Sequence, residues 1–455
     1  MTLDSATDQN RDAAIQELWH RGIVAPWYLR EHQFTLYDLL RNTLRDIIVP
    51  NISRRFGKST TCCGYVLEEA FTRKQDIRYA TAFLTDLEGF IRPIFDDILS
   101  SCPGSIRPRY KESKKTYYFH NGSTIKLIGL DKNPNGIRGN ALDILVIDEA
   151  AFVANLEYLY RSIIVPATAD RNFKIIFPST PPESPEHFWA RELVEKAKDR
   201  ETYLELTLDD NTSLSDAEKE RLLDEVGGKD SPTAQREFFC KIVVDVTRAV
   251  APSFDEERHV AEFEEPYIKW IIFGDLGGVR DKHAYQKVGW SHTLRRVLIA
   301  DELTFEPMTP SSVMVEKVQK TWLDLEVYAD KPGQTAVDLS ALGMPTGDVV
   351  KIRDGFGAGI ANLNTALHND EPLIHPRCEL LIRTLKGGLL TKNRTDHLRT
   401  ESFGHNDHVA CMQYALRGVD RTTDLRPKPP KSLIFTLPKP ETSGLQGLTH
   451  DTDEW

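Results

Sequence analysis

Ile144-Leu-Val-Ile-Asp-Glu149 reads as a short buried strand that ends in two acids. A wholly apolar run of this length suits the interior of a parallel sheet covered on both faces. At the carboxyl end of such a strand, Asp148 is placed to hold Mg²⁺ and Glu149 to polarise an attacking water, the division of labour that phosphoryl transfer to water requires. The complement lies upstream. Asn51-Ile-Ser-Arg-Arg-Phe-Gly-Lys-Ser-Thr60 follows the apolar run Ile47, Ile48, Val49 and leads into a helix expected over Cys62 to Phe71. Strand, tight loop and helix N-terminus together cradle phosphates, because backbone N–H groups and the helix dipole face the anion. Lys58 is expected to neutralise the β and γ phosphates and Ser59 to offer its hydroxyl to Mg²⁺. The loop departs from the common Gly-x4-Gly-Lys-Ser/Thr pattern, since Ile52 stands where the first glycine belongs.

Working outward, Lys174-Ile-Ile-Phe177 is a further short apolar strand, and the alternation with helical stretches predicts a parallel α/β sheet. Apolar periodicity breaks at Arg248-Ala-Val-Ala-Pro-Ser-Phe-Asp-Glu-Glu-Arg-His259, within a junction at about residues 245 to 265. The 455 residues exceed one ordinary core and divide into domains at 1–250 and 251–425, with a Pro-rich tail at 426–455 that reads as a flexible interaction peptide. No apolar run approaches the length of a membrane span, and the polar, acidic start Met1 to Asp12 is unlike a signal peptide. The six cysteines show no Cys-x2-Cys spacing, which argues against a zinc knuckle or a disulfide framework and for a reduced cytosolic setting. A net charge of −11 opposes a chain-wide nucleic-acid footprint, so any DNA contact must be local. Arg107-Pro-Arg-Tyr-Lys-Glu-Ser-Lys-Lys115, basic with Tyr110 interleaved, is the candidate; its bland alternative is a solvated loop or edge strand.

The second block carries different chemistry. Tyr267-Ile-Lys-Trp-Ile-Ile-Phe-Gly-Asp275 reads as a strand ending in an acid, followed by strands at Ala284 to Ser291 and Arg296 to Ala300. A helix with apolar positions Val313, Val315, Val318 and Leu323 comes next, then the strand Leu325-Glu-Val-Tyr-Ala-Asp330. This is the element order of an RNase H-like fold. It would set Asp275 and Asp330 on adjacent strand ends, able to share metal ions about 4 Å apart. Asp407 opens a helix with apolar face Val409, Met412 and Leu416, either as a third metal ligand or only as an N-cap. Asp281 is a candidate auxiliary ligand, His408 a weaker one, and Asp301-Glu302 reads as a solvated strand end. Asp338, in the expected helix Gln334 to Leu342, reads as a surface acid.

Ser53-Arg54-Arg55-Phe56-Gly57-Lys58-Ser59 resembles the altered Walker loop, Ser-Arg-x-x-Gly-Lys-Ser/Thr, of the large terminase subunits of tailed double-stranded DNA phages. Gln33 is similar to that family's adenine-contacting glutamine, Arg138-Gly139 to its Arg-Gly pair, and Ser179-Thr180-Pro181 to its coupling segment. The Asp407 segment resembles the end of its nuclease, which favours the metal-ligand reading. The resemblance implies a RecA-like P-loop ATPase domain followed by an RNase H-like nuclease domain. ATP and Mg²⁺ would be held by Gln33, Ser53, Arg54, Arg55, Gly57, Lys58, Ser59, Thr60 and Asp148, with Glu149 and Arg54 catalytic. Two Mg²⁺ or Mn²⁺ ions would serve Asp275, Asp330 and Asp407. It implies double-stranded DNA, a portal protein, a small terminase subunit and a homo-oligomeric ring as partners, and no membrane. The setting would be the host cytoplasm, transiently at the procapsid portal vertex and not in the mature virion. The rivals are a helicase-nuclease of repair or restriction and a scaffold protein that has lost catalysis.

Overall fold

The apolar runs of the first block assemble into one sheet. Its strands are β1 (Ile47–Ile52), β2 (Asp76–Thr81), β3 (Arg109–Lys111), β4 (Thr116–Tyr118), β5 (Thr124–Gly129), β6 (Ile144–Asp148), β7 (Lys174–Ile176) and β8 (Tyr203–Leu206). In this computed structural model, which describes residues 8–427 apart from 45, 138–141, 169–172, 245, 278–280, 331–332, 351–354, 400–402 and 404, they lie in the order β3-β4-β5-β2-β6-β7-β1-β8. From β5 to β8 every pairing is parallel, and β3 and β4 add an antiparallel edge. One face of the sheet, with Ile77, Tyr79, Ile125 and Leu127, packs against the helix Lys58–Thr72 through Val66 and Leu67. The other face, with Ala80, Leu145 and Ile147, is covered by Leu159, Ile163 and Leu193. Burial on both faces is why these strands read as unbroken apolar runs. The helix begins at Lys58 rather than at Cys62, because Gly57 caps it from the left-handed region at φ 89°.

Pro50 sits inside β1, where a ladder N–H is missing. In the parallel register set by Ser179 N–H donating to Pro50 O and Ile52 N–H to Ser179 O, the absent donor would have met Phe177 O. Instead the buried indole of Trp189 donates to Phe177 O at 3.0 Å. The repair matters because Ser179, two residues on, reaches Glu149 at the end of β6. Trp189→Phe should therefore cost about 1–3 kcal/mol by orphaning a buried carbonyl. Thermal unfolding checks this; an unchanged midpoint would show that the carbonyl finds another donor.

The second sheet comprises β9 (Ile271–Leu276), β10 (His283–Ser291), β11 (Arg296–Phe305), β12 (Glu326–Asp330), β13 (Thr346–Asp348) and β14 (Pro372–Ile374). Its order is β13-β12-β9-β10-β11-β14, with β9, β10 and β11 antiparallel and β12 parallel to β9. That is the RNase H-like arrangement, so the chain joins a RecA-like sheet to an RNase H-like one. Two details differ from the sequence reading. β11 continues to Phe305 through a register shift opposite Lys287 and Val288, which puts Asp301 and Glu302 within the strand. Glu302 is no solvated end: it accepts the N–H groups of Leu380 and Leu381 at 2.6 and 3.1 Å, at the start of the helix Glu379–Gly387. In the helix Ser311–Thr321 the buried face is Met314, Val315 and Val318, while Val313 is exposed and Leu323, beyond the helix, is 74% exposed.

Val250 and Ala251 are buried in the second core. The two sheets meet through the segment after β7, where Glu183 pairs with Arg248 at 2.9 Å, Glu186 with Arg383 at 2.7 Å, and Ser184 Oγ donates to Gly387 O at 2.8 Å. Among the described residues no helix is long and apolar enough to cross a membrane. The tail beyond residue 427 lies outside the described residues, as does Arg138-Gly139.

Candidate nucleotide site and acidic centre

β1 delivers the loop at 53–57, β6 delivers Asp148 and Glu149, and the segment after β7 delivers Ser179. All three strands are parallel neighbours, so their carboxyl ends meet at one edge, where open α/β sheets bind ligands. A cavity of about 620 Å³ opens there. Ser53, Arg54, Arg55, Gly57, Lys58, Ser59 and Thr60 form one wall, Asp148 and Glu149 the floor, and Phe83, Phe90 and Phe152 an apolar side. The Lys58 ammonium lies 2.7 Å from Glu149 Oε1. Asp148 is 1% exposed, and accepts the Tyr79 hydroxyl at 2.8 Å and the Glu149 N–H at 3.0 Å. Burial first, then the negative charge of Glu149, pushes the Asp148 carboxyl up, while Lys58 and the Ser59 and Tyr79 hydroxyls oppose the shift. Such a buried carboxylate would be relieved by a cation, and Ser59 beside it could offer a second oxygen ligand.

Glu149 itself has φ 51°, a strained turn that aims its side chain back across the cavity mouth. Ser179 Oγ accepts the Ala151 N–H at 3.1 Å and donates to Glu149 Oε2 at 3.4 Å. The predicted coupling segment thus touches the predicted catalytic acid; Thr180, next to it, is fully buried. Arg54 lines the cavity while its Nε holds Glu237 Oε2 at 2.7 Å and its N–H donates to Glu237 O. Glu237, in the helix Pro232–Glu237, is a partner that the sequence reading missed, because nothing local marks it.

Gln33 is placed against the loop: its Nε2 donates to Gly57 O at 3.0 Å, and its Oε1 accepts Arg30 N–H at 2.8 Å. A Cβ added at Gly57 would lie 2.1 Å from Gln33 Nε2, at a φ that side chains avoid. Gly57→Ala should therefore shift either Gln33 or the loop, at a backbone cost of about 1–2 kcal/mol. Nucleotide affinity, measured by calorimetry, should fall along with the unfolding temperature. Wild-type affinity in this variant would show the loop to be more adaptable than its geometry suggests.

In the second sheet, parallel pairing sets Asp330 directly beside Asp275 at the ends of β12 and β9. Tyr414 OH donates to Asp330 Oδ2 at 3.0 Å. Tyr414 lies on the helix Asp407–Gly418, which crosses this sheet and whose Cys411 thiol meets Ala284 O. Asp407 is the first residue of that helix, not its cap; Asn406 occupies the cap position with φ 59°. Burial first, then the charge of Asp281, raises the Asp407 carboxyl to about 6, and its Oδ2 is buried without a hydrogen-bond partner among the described residues. Ligand atoms of Asp281, His405 and Asp407 lie within 4.8 Å of one another, close enough for one divalent cation. These residues fit a metal: an orphaned buried carboxylate oxygen, a second carboxylate and an imidazole converge on one point.

His405 was not singled out from the sequence, although the His405-x-Asp407 spacing was there to be read. Its Nε2 lies 2.8 Å from Asp396 Oδ1, the kind of contact that fixes an imidazole's orientation. Arg399 pairs with Asp281 Oδ1 at 2.8 Å. His408 is instead a core residue, with Nε2 2.6 Å from Thr304 Oγ1, and burial lowers its imidazole to about 3.

Residues 50–248 match the family described as terminase large subunit, T4-like-virus type, N-terminal. Among solved structures, the large terminase of bacteriophage HK97 is similar at TM-score 0.53 and 14% identity, with 89% of this chain and 99% of that chain covered. The resemblance to large terminase subunits holds. The family match spans the loop at 53–59, Asp148 and Glu149, and the HK97 terminase extends the likeness in fold across both sheets. The large terminase of a thermophilic bacteriophage is 20% identical, covering 84% of this chain and 97% of that one at TM-score 0.40.

Proposed function

We propose that this chain is the large subunit of a viral DNA-packaging terminase, with an ATPase motor over 1–250, a nuclease over 251–425 and a docking tail over 426–455. One observation carries the reading: Lys58, Asp148 and Glu149 line one cavity, with Ser179 bonded to Glu149 from behind, while Asp275 and Asp330 stand side by side on a second sheet of the same chain. In the motor, Ser59 and Asp148 would hold Mg²⁺, which on binding offsets phosphate charge. Lys58 turns from Glu149 to the β and γ phosphates of ATP, and this frees the Glu149 carboxylate to orient a water and take its proton at Oε. Arg54 steadies charge on the transferring group. Ser179, bonded to Glu149, senses the change, and its segment passes it to the second domain through Glu183, Ser184 and Glu186.

In the nuclease, Asp275, Asp330 and Asp407, with Asp281 and His405, would hold two Mg²⁺ or Mn²⁺ ions, whose role when bound is to activate water and clamp the scissile phosphate. Tyr414 orients Asp330, and Asp396 orients His405. The partners that go with this reading are duplex DNA, a portal protein, a small terminase subunit and further copies of the chain in a ring, in the host cytoplasm at the procapsid portal. A helicase-nuclease is the weaker reading, since the second sheet has antiparallel β9, β10 and β11 where a second motor lobe would need parallel strands. The test is duplex-stimulated ATP hydrolysis together with Mg²⁺- or Mn²⁺-dependent plasmid cleavage by the purified chain. Absence of either activity would overturn the corresponding half.

A further inference from the structure

Arg78 on β2 stands directly opposite Lys126 on β5. Their neighbours Ile77, Tyr79, Ile125 and Leu127 pack toward the helix Lys58–Thr72, so alternation puts both cations on the other face of the sheet. Like charges across a ladder repel, and burial raises the cost. Arg78 is 7% exposed, and burial, followed by repulsion from Arg78, lowers the Lys126 ammonium below its ordinary range. Compensation from within the protein is thin. Asp76 meets Arg78 through both carboxylate oxygens, each at a long 3.4 Å, and Arg78 Nε is buried without a hydrogen-bond partner among the described residues.

The pair lies in a groove of about 540 Å³ whose lining also includes Lys114, Lys115 and Lys132, with Asp76 as its one acid among the described residues. Lys115 is engaged by Glu88; among the described residues Lys114, Lys126 and Lys132 make no ion pair. In a chain of net charge −11 this excess of cations is a local feature. The basic stretch read from the sequence contributes only its end. Arg107 is spent on Ser100 O and Cys102 O, and Tyr110 packs between Tyr117 and the Arg92 guanidinium.

We propose that this groove binds the phosphodiester backbone of duplex DNA, with Arg78 and Lys126 at its floor and Lys114 and Lys132 along its sides. The inference rests on the DNA-handling reading above and adds to it the surface that holds the DNA. Cations brought to one open groove by two strands, β2 and β5, and by the separate turns at Lys114 and Lys132 suit a polyanion contacted at several phosphates, whereas a single phosphate needs fewer donors.

The test uses the full chain, a fluorescein-labelled duplex and anisotropy across a salt series. Lys114→Ala combined with Lys132→Ala changes exposed side chains only, so ATP hydrolysis without DNA should stay at the wild-type rate. Duplex affinity at about 0.15 M salt should fall roughly tenfold or more, and the slope of log affinity against log salt should become shallower by roughly 2, the share of two phosphate contacts. Lys126→Met should weaken binding in the same sense. Inorganic phosphate, matched to chloride for ionic strength, should not displace the duplex; displacement would assign the groove to a small anion and overturn the proposal. Unchanged affinity and slope in the double variant would also overturn it, while leaving the DNA-handling reading standing. A wild-type chain that binds no duplex would instead overturn that reading itself.

Discussion

Replacing Glu149 by glutamine is expected to leave ATP bound and unhydrolysed. The carboxylate sits 2.7 Å from the Lys58 ammonium and within hydrogen-bonding reach of Ser179, at a strained backbone position beside the buried Asp148. Glutamine keeps the shape, its one carbonyl oxygen can still accept from Lys58, and its amide N–H can donate to Ser179 Oγ in the reversed sense, so the loop and the cavity should persist. What it cannot do is take a proton from water. Loss of a positioned general base costs typically about 10²–10⁴-fold in rate. ATP turnover should fall by that factor, while the affinity for a non-hydrolysable analogue changes little. Turnover within a few-fold of wild type would mean that another group activates the water.

Asp330→Ala should abolish metal-dependent plasmid cleavage. Asp330 is paired in register with Asp275, and its carboxylate is oriented by Tyr414 from the helix that begins at Asp407. Removing a group that only orients a metal ligand costs roughly 10–100-fold, so removing a ligand should cost more. Asp338→Ala is the matched control. Asp338 lies in the helix Gly333–Ala341, with Gln334 Nε2 2.9 Å from its Oδ1, on a surface turn of helix. That variant should cut at nearly the wild-type rate. If the Asp330→Ala protein, folded, still linearises plasmid normally, the nuclease centre must be redrawn.

Legibility in the sequence followed the range of the interactions. The loop at 53–59 and the acids Asp148 and Glu149 at the end of β6 were readable because strand, turn and helix cap are local signals, and the sheet then brings them together by parallel order alone. Asp275 and Asp330 were readable for the same reason, as acids at the ends of apolar strands. The Asp281, His405 and Asp407 cluster was legible only in part. Its members sit on a loop and at a helix start, and their convergence depends on how that helix crosses β9 and β10. Glu302 was misread because a register shift lengthens β11, a feature with no signature in hydropathy. The exposed Leu323 was assigned to a helix face because apolar spacing does not show where a helix stops. Glu237, which holds Arg54 across a long stretch of chain, and Trp189, which bonds Phe177 O in place of the donor missing at Pro50, leave no mark in sequence.

The central claim is that one chain carries two separate hydrolytic sites. The most direct measurement runs ATP hydrolysis and plasmid cleavage side by side on wild type, Glu149→Gln and Asp330→Ala, all as the full chain. The expected result is crossed: Glu149→Gln loses ATP turnover and still cleaves plasmid, and Asp330→Ala stops cleaving and still hydrolyses ATP. If either substitution removes both activities in a protein that unfolds at the wild-type temperature, the two sites are one functional unit and the account is contradicted.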